Sequence, residues 1–195
     1  MHNIQTTIVG TAPLILHRFT DEAAREAGGQ KRSGIKKDVN GEDVRALAAP
    51  SLYIGRESGK PVIPAPNLWK CLIEGGRWFK VGRKGVTTRD SSLLAGVVRI
   101  EELEIPIEND NDPMWEVDVR PVTNQVTKGK MLAYRPIFYE WRMKFTIELD
   151  PDGDIGIPLF RSVVDKAGRQ IGLGVMRPER KGAFGTWRVD HWEVE

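Results

Sequence analysis

From Ile137 to Leu149 the chain reads I-F-Y-E-W-R-M-K-F-T-I-E-L, the clearest alternation of apolar and polar residues anywhere in it. A period of two is the side-chain period of a β-strand with one covered face and one open face. A chain carrying such a strand must supply more strands beside it and a layer above it. The other elements can be read against that requirement. Residues 3–10 alternate in the same way and run into the short apolar piece Pro13-Leu-Ile-Leu16. Leu93 to Ile107 reads as another strand, and Trp115 to Val122 alternates again. Ser51-Leu-Tyr-Ile54 and Pro61-Val-Ile63 flank the turn Gly55–Lys60, a hairpin signal.

Two segments carry helical spacing instead. Pro64-Ala-Pro66 opens the first, since proline suits the first turn of a helix. Leu68, Trp69, Leu72 and Ile73 then fall on one face, and the helix is expected to end near Gly75–Phe79. Leu159, Phe160, Val163, Val164 and Ala167 mark the second helix, with Gly168 as its expected stop. The order strand, helix, strand, strand, helix, strand predicts an α+β fold. This is the ferredoxin-like βαββαβ arrangement also found in RNA-recognition motifs, with a four-stranded antiparallel sheet and two helices on one face. At 195 residues the chain fits one domain, 1–195. It carries a polar, turn-rich insertion at about 17–50, with a short helix candidate near Asp21–Ala27. Thr123 to Leu132 reads as the tip of a protruding hairpin that spans about 119–137.

Composition excludes several classes. Forty per cent apolar and 29% charged residues make an ordinary globular balance. No apolar run approaches the roughly 18 residues that span a bilayer, so no membrane partner is expected. The first residues alternate and form no export signal. Cys71 is the only cysteine, which excludes a disulfide framework and a cysteine-built zinc site and makes a reducing cytoplasm the simplest location. Two weak motifs also fail. Gly55–Lys60 has too short a glycine spacing for a phosphate-binding P-loop, and Pro61 stands where a metal-binding hydroxyl is needed. Glu108 to Asp112 lacks the glycine and terminal glutamate of a calcium loop.

Charge is unevenly placed although the net is only +2. Residues 77–89 carry Arg77, Lys80, Arg83, Lys84 and Arg89 without an acid, and residues 120–135 add Arg120, Lys128, Lys130 and Arg135. Residues 101–118 hold eight acids and no base. Such blocks predict two faces of opposite sign, one suited to a polyanion and the other to a basic patch on a neighbouring subunit. The stretch from Gly172 to Trp187, G-L-G-V-M-R-P-E-R-K-G-A-F-G-T-W, sets four glycines around Arg177, Arg180 and Lys181. Glycines let backbone approach a phosphodiester and the cations neutralise it, so this segment is a candidate nucleic-acid grip.

Three segments together resemble the RAMP superfamily of CRISPR effector proteins, in particular the backbone subunits that polymerise along a guide RNA. Lys60-Pro-Val-Ile-Pro-Ala-Pro-Asn-Leu-Trp-Lys70 looks like the family's opening of the first helix, although Ala65-Pro66-Asn67 replaces the family's Gly-Ser-Ser. Thr6 to Leu16 looks like its first strand, and Ile171 to Val189 is similar to its glycine-rich loop and closing strand. The chain is short for a CRISPR backbone subunit, and a stand-alone or phage-encoded relative fits as well.

The resemblance implies that Asn67, Lys70, Arg177, Arg180 and Lys181 lie against a nucleic-acid backbone. It also implies a hairpin thumb, with Lys128 and Lys130 on phosphates and Met131 or Leu132 as an apolar wedge between bases. The basic run adds Arg77, Lys80, Arg83 and Lys84. Trp78 is the tryptophan that borders this run, while Trp69, Trp141 and Trp187 fit core positions.

The expected activity is binding of single-stranded RNA or DNA, largely independent of base sequence, with head-to-tail self-association into a filament or effector-type backbone. No catalytic residue, metal or cofactor is expected. Two rival readings stay open. In the first, His17 is the general base of a metal-independent endoribonuclease, with Arg18 lowering its pKa; Asp38 and Asp43 occupy the region where some relatives place a metal-dependent cleavage aspartate. In the second, the protein is a phage structural or assembly component.

Overall fold

A computed structural model describes residues 1–18, 43–123, 129–151 and 153–195, with only the backbone of Met131. In chain order the strands are β1 (His2–Gly10), β2 (Leu14–Ile15), β3 (Val62–Pro64), β4 (Lys80–Val81), β5 (Lys84–Gly85), β6 (Val98–Ile100) and β7 (Glu104–Pro106). They continue with β8 (Glu116–Thr123), β9 (Lys130–Phe138), β10 (Arg142–Leu149) and β11 (Trp187–Val194). The helices are α1 (Val44–Ala48), α2 (Ala65–Gly75) and α3 (Ile157–Gln170). The fold is α+β with antiparallel sheets. The helix candidate near Asp21–Ala27, most of the 17–50 insertion, Asp38 and Lys128 lie outside the described residues.

The main sheet has the order β11-β1-β10-β6, every neighbouring pair antiparallel. Its alternation is the one expected of a half-covered sheet. Ile4 and Ile8 of β1 and Met143, Phe145, Ile147 and Leu149 of β10 are buried. Thr6 shares that covered face, while Asn3, Gln5, Thr7, Lys144, Thr146 and Glu148 are more open. The covering layer is α2 and α3. Leu68 and Leu72 of α2 and Phe160, Val163, Val164 and Ala167 of α3 share one core with the strand residues. Each fully buried aliphatic there contributes about 1.5–3 kcal/mol. The Trp69 indole N–H donates to the Val98 carbonyl at 3.1 Å, fixing α2 to the β6 edge.

A second sheet, β2-β9-β8, rises from the first. Its long pair is a hairpin running in register from Glu116↔Ile137 to Thr123↔Lys130. β2 pairs with the base of that hairpin through Leu14↔Phe138 and Ile15↔Ile137. Two expected strands are therefore divided between sheets. Ile137 and Phe138 close β9, and the chain crosses at Tyr139–Trp141 before β10 begins. Trp141 occupies that corner, its indole N–H on the Ala12 carbonyl at 2.9 Å. The run Leu93–Ile107 becomes a 3-10 turn, β6 and β7, and β7 pairs with β3. At the break Leu103 is 82% exposed, while the Glu102 carboxylate turns back to accept the Thr146 amide at 2.9 Å. Alternation by itself cannot show a strand changing sheets, because its period survives the corner. Within the basic run 77–89, residues 80–85 form the small β4–β5 hairpin, with Gly82 in the left-handed region at φ 58°.

Gly168 is also corrected. It does not stop α3, which continues to Gln170. A Cβ at Gly168 would sit 2.4 Å from the Trp187 carbonyl oxygen, so this glycine lets the helix lie directly on β11. Overpacking against backbone costs about 3 kcal/mol. Gly168→Ala is therefore expected to lower the melting temperature by roughly 6–12 °C. Gly96→Ala, where nothing lies within 4 Å, should stay within about 2 °C of wild type. Equal melting temperatures for the two variants would refute this packing role.

Candidate nucleic-acid interface

The glycine-rich segment is folded onto itself and docked on β2. Gly172 N–H donates to Ala167 O as α3 ends, and Gly182 N–H donates to Arg177 O, both at 3.0 Å. Gly185 N–H reaches Pro13 O at 2.8 Å, and Val175 N–H reaches Ile15 O at 2.9 Å. A Cβ at Gly174 would lie 2.3 Å from the Ile15 carbonyl oxygen, and one at Gly182 would lie 1.7 Å from the Met176 carbonyl oxygen. The glycines thus serve close backbone packing within the protein. Three of their amides already have acceptors, which corrects the expectation that they would hold phosphates.

Arg177 is corrected as well. Its Nε and Nη2 donate to Glu179 Oε2 at 3.0 and 2.6 Å, and its Nη1 donates to Gly174 O at 2.8 Å. The side chain is mostly covered and locks the loop. Arg180 and Lys181 stand exposed on the same loop without an ion-pair partner among the described residues. Lys181 takes a left-handed φ of 61°, an uncommon conformation for a residue with a side chain.

Between this loop and α2 lies a cavity of about 230 Å³. Asn67 and Lys70, three residues apart on one face of α2, form one wall. Gly172 to Val175 form the opposite wall, and Leu16 and His17, just beyond β2, close an end with Tyr53. Asn67 and Lys70 are exposed, and the ammonium of Lys70 has no carboxylate partner among the described residues. Cys71 contributes a buried wall atom, its thiol pushed up to about 12 by burial and therefore unreactive at neutral pH.

His17 sits at the cavity rim. The crowd of protein atoms around its ring lowers its pKa first, and the Arg135 guanidinium lowers it further. The cation that acts on it comes from β9, where sequence order pointed to Arg18. Arg135 is itself held below its ordinary value by burial, which Asp118 partly offsets and Arg120 reinforces. Its Nε and the Oδ2 of Asp118 are buried without hydrogen-bond partners. Arg120 donates from Nε to Asp118 Oδ1 at 2.7 Å and stacks 4.7 Å over the Phe184 ring. That stack ties the middle of the hairpin to the glycine-rich segment.

Other residues singled out from sequence lie elsewhere. Arg77 is ion-paired with Glu74. Trp78 is half exposed, with the Lys166 ammonium 5.1 Å from its ring centre. Trp78, Lys80, Arg83 and Lys84 do not line the cavity. Lys130 opens β9 at the tip end of the hairpin, five residues or about 17 Å from Arg135. Leu132 is half exposed opposite Pro121, and the Met131 side chain lies outside the described residues. Asp43 caps α1 by accepting the Arg45 amide at 2.9 Å. Among the described residues no group of three or more His, Cys, Asp or Glu side chains is arranged to hold a metal, and no helix is long and apolar enough to cross a membrane. Tyr53 and Arg135 were missed as site residues. Arg135 stood in the basic block 120–135, but nothing in sequence placed it beside His17.

No protein-family model matches the chain, and no curated protein matches it significantly.

The folded His17 ring holds its proton less tightly than the ordinary value of 6.5. Between that lowered value and 6.5 the unfolded chain binds more protons, so stability from this residue is lost as pH falls through the window. A ring-proton NMR titration should give a midpoint below 6.5, and Arg135→Gln should move it upward. A midpoint at or above 6.5, or no response to Arg135→Gln, would refute this environment.

Proposed function

We propose that this protein is a ferredoxin-like, RAMP-type module that binds single-stranded nucleic acid through its backbone and assembles head-to-tail along it. The observation that carries the reading is the cavity. The opening of the first long helix, the end of the first-strand segment and the glycine-rich loop are far apart in sequence, and they meet around one concavity. Those are the three segments on which the resemblance rests. The strand order β11-β1-β10-β6, with one helix between β1 and β6 and another between β10 and β11, supports the ferredoxin-like reading.

The cations available for phosphate are Lys70 beside Asn67 on the cavity wall and Arg180 and Lys181 on the loop, with Lys130 farther out on the thumb. Arg177 preserves the loop's shape. Because contacts to phosphate carry no base sequence, binding through these groups is largely sequence-independent. Lys70→Ala combined with Lys181→Ala should weaken binding of a labelled oligonucleotide and flatten its salt slope by about 0.7 per lost phosphate contact. Arg177→Ala should lower the melting temperature more than the slope. A salt slope unchanged in the double variant would contradict the reading.

A second reading is favoured by His17 alone. Its lowered pKa leaves the ring neutral at physiological pH, able to take a proton from an RNA 2′-hydroxyl, with Lys70 across the cavity to stabilise the resulting charge. In that case the protein cleaves RNA in EDTA, and His17→Ala abolishes cleavage. RNA that stays intact with wild type would dismiss this reading.

A further inference from the structure

The carboxylates of the acidic block have different fates. Glu102 and Glu104 accept backbone amides of Thr146 and Arg56. Glu108 and Asp110 pair with Arg142, and Asp118 with Arg120. Asp112 and Glu116, with Glu140 from the corner before β10, have no partner among the described residues, and all three line a second cavity of about 320 Å³. Its walls include Trp115 and Tyr139, the latter 56% exposed. The walls are tied together, because Asn109 Nδ2 donates to Met114 O at 2.8 Å and to Glu140 O at 2.9 Å. A preformed concavity with aromatic walls and unneutralised carboxylates fits a guanidinium, which combines carboxylate pairing with ring stacking. Trp115 already accepts one: Arg45 lies 3.7 Å over its ring and donates from Nη1 to its carbonyl at 2.7 Å.

The complementary surface is on the same chain but at the other end of the main sheet. The β4–β5 hairpin turns at Gly82 and presents Arg83 and Lys84, both exposed and without a carboxylate partner among the described residues. It connects through Leu93 N–H on Val86 O to the turn leading into β6, where Val98 pairs with Leu149. The acidic cavity adjoins Arg142 at the opposite end of β10, next to the Glu108–Arg142 bridge. Eight residues of strand separate the two ends by about 25 Å. The two surfaces therefore cannot meet within one copy, but they can meet head-to-tail between copies.

We infer that the cavity formed by Asp112, Trp115, Glu116, Tyr139 and Glu140 is a socket for the Arg83–Lys84 hairpin of a second copy. This rests on the head-to-tail assembly proposed above and assigns its contact surfaces. It also moves Arg83 and Lys84 from the nucleic-acid grip to a protein contact.

Sedimentation velocity tests the inference without nucleic acid. Glu116→Gln with Glu140→Gln removes most of the socket's charge, and Arg83→Glu with Lys84→Glu reverses the hairpin's. All four residues are exposed, so each variant should keep the wild-type melting temperature. Each alone should associate at least about tenfold more weakly than wild type. Mixed together, each variant supplies the surface the other lacks, so the mixture should form a 1:1 dimer that does not elongate. Wild-type association with no loss in either variant would overturn this interface and leave the assembly reading standing. Wild type that stays monomeric with and without a single-stranded oligonucleotide would overturn both. A hairpin variant that keeps self-association but loses affinity for an oligonucleotide short enough to bind one copy would return the hairpin to nucleic acid and overturn the inference.

Discussion

The docking of one backbone on another, Gly172–Thr186 against Pro13–Ile15, is the contact on which the candidate site depends. It works because side chains are missing where the segments touch. The Ile15 carbonyl occupies the place of a Cβ on Gly174, and the Met176 carbonyl occupies that of Gly182. Val175 and Gly185 then complete hydrogen bonds to Ile15 and Pro13 that larger neighbours would hold apart. With the loop pinned to β2, and β2 pinned to the base of the β8–β9 hairpin, one wall of the cavity is fixed relative to α2. Arg177 completes the arrangement from inside, its donors turned to Glu179 and Gly174 and away from any outside ligand.

How the loop works is thus different from the first impression its composition gives. Glycine and cation in alternation look like a phosphate cradle, yet here the glycines pack and one of the three cations is internal. The remaining charges, Arg180 and Lys181, lie on a frame that the glycines make rigid.

Much of the framework was legible from residue spacing. The helical faces of Leu68–Ile73 and Leu159–Ala167 and the alternation of β1, β8 and β10 each follow from a local period that burial imposes. What was not legible are places where the period continues while the chain changes partner, as at Tyr139–Trp141 and Glu101–Leu103. The stop expected at Gly168 failed for a related reason: a glycine can mark a close contact as well as a helix end, and only the neighbour, Trp187, distinguishes them. The site was legible only as a set of segments. Asn67, Lys70 and the glycine-rich loop could be named, but the approach of Arg135 to His17 depends on β9 pairing with β2. Charge blocks behaved similarly, since most of the acidic run is consumed in contacts with distant parts of the chain and only part of it faces outward unpaired.

The central claim is that a single strand lies in the concavity between α2 and the docked loop. Photo-crosslinking of the wild-type protein to a 4-thiouridine-substituted oligonucleotide, followed by mass-spectrometric mapping of the adducts, tests it most directly. Adducts should fall on the peptides that carry His17, Tyr53 and Asn67–Lys70. Adducts confined to the β4–β5 hairpin or to the Trp115–Tyr139 face would contradict it.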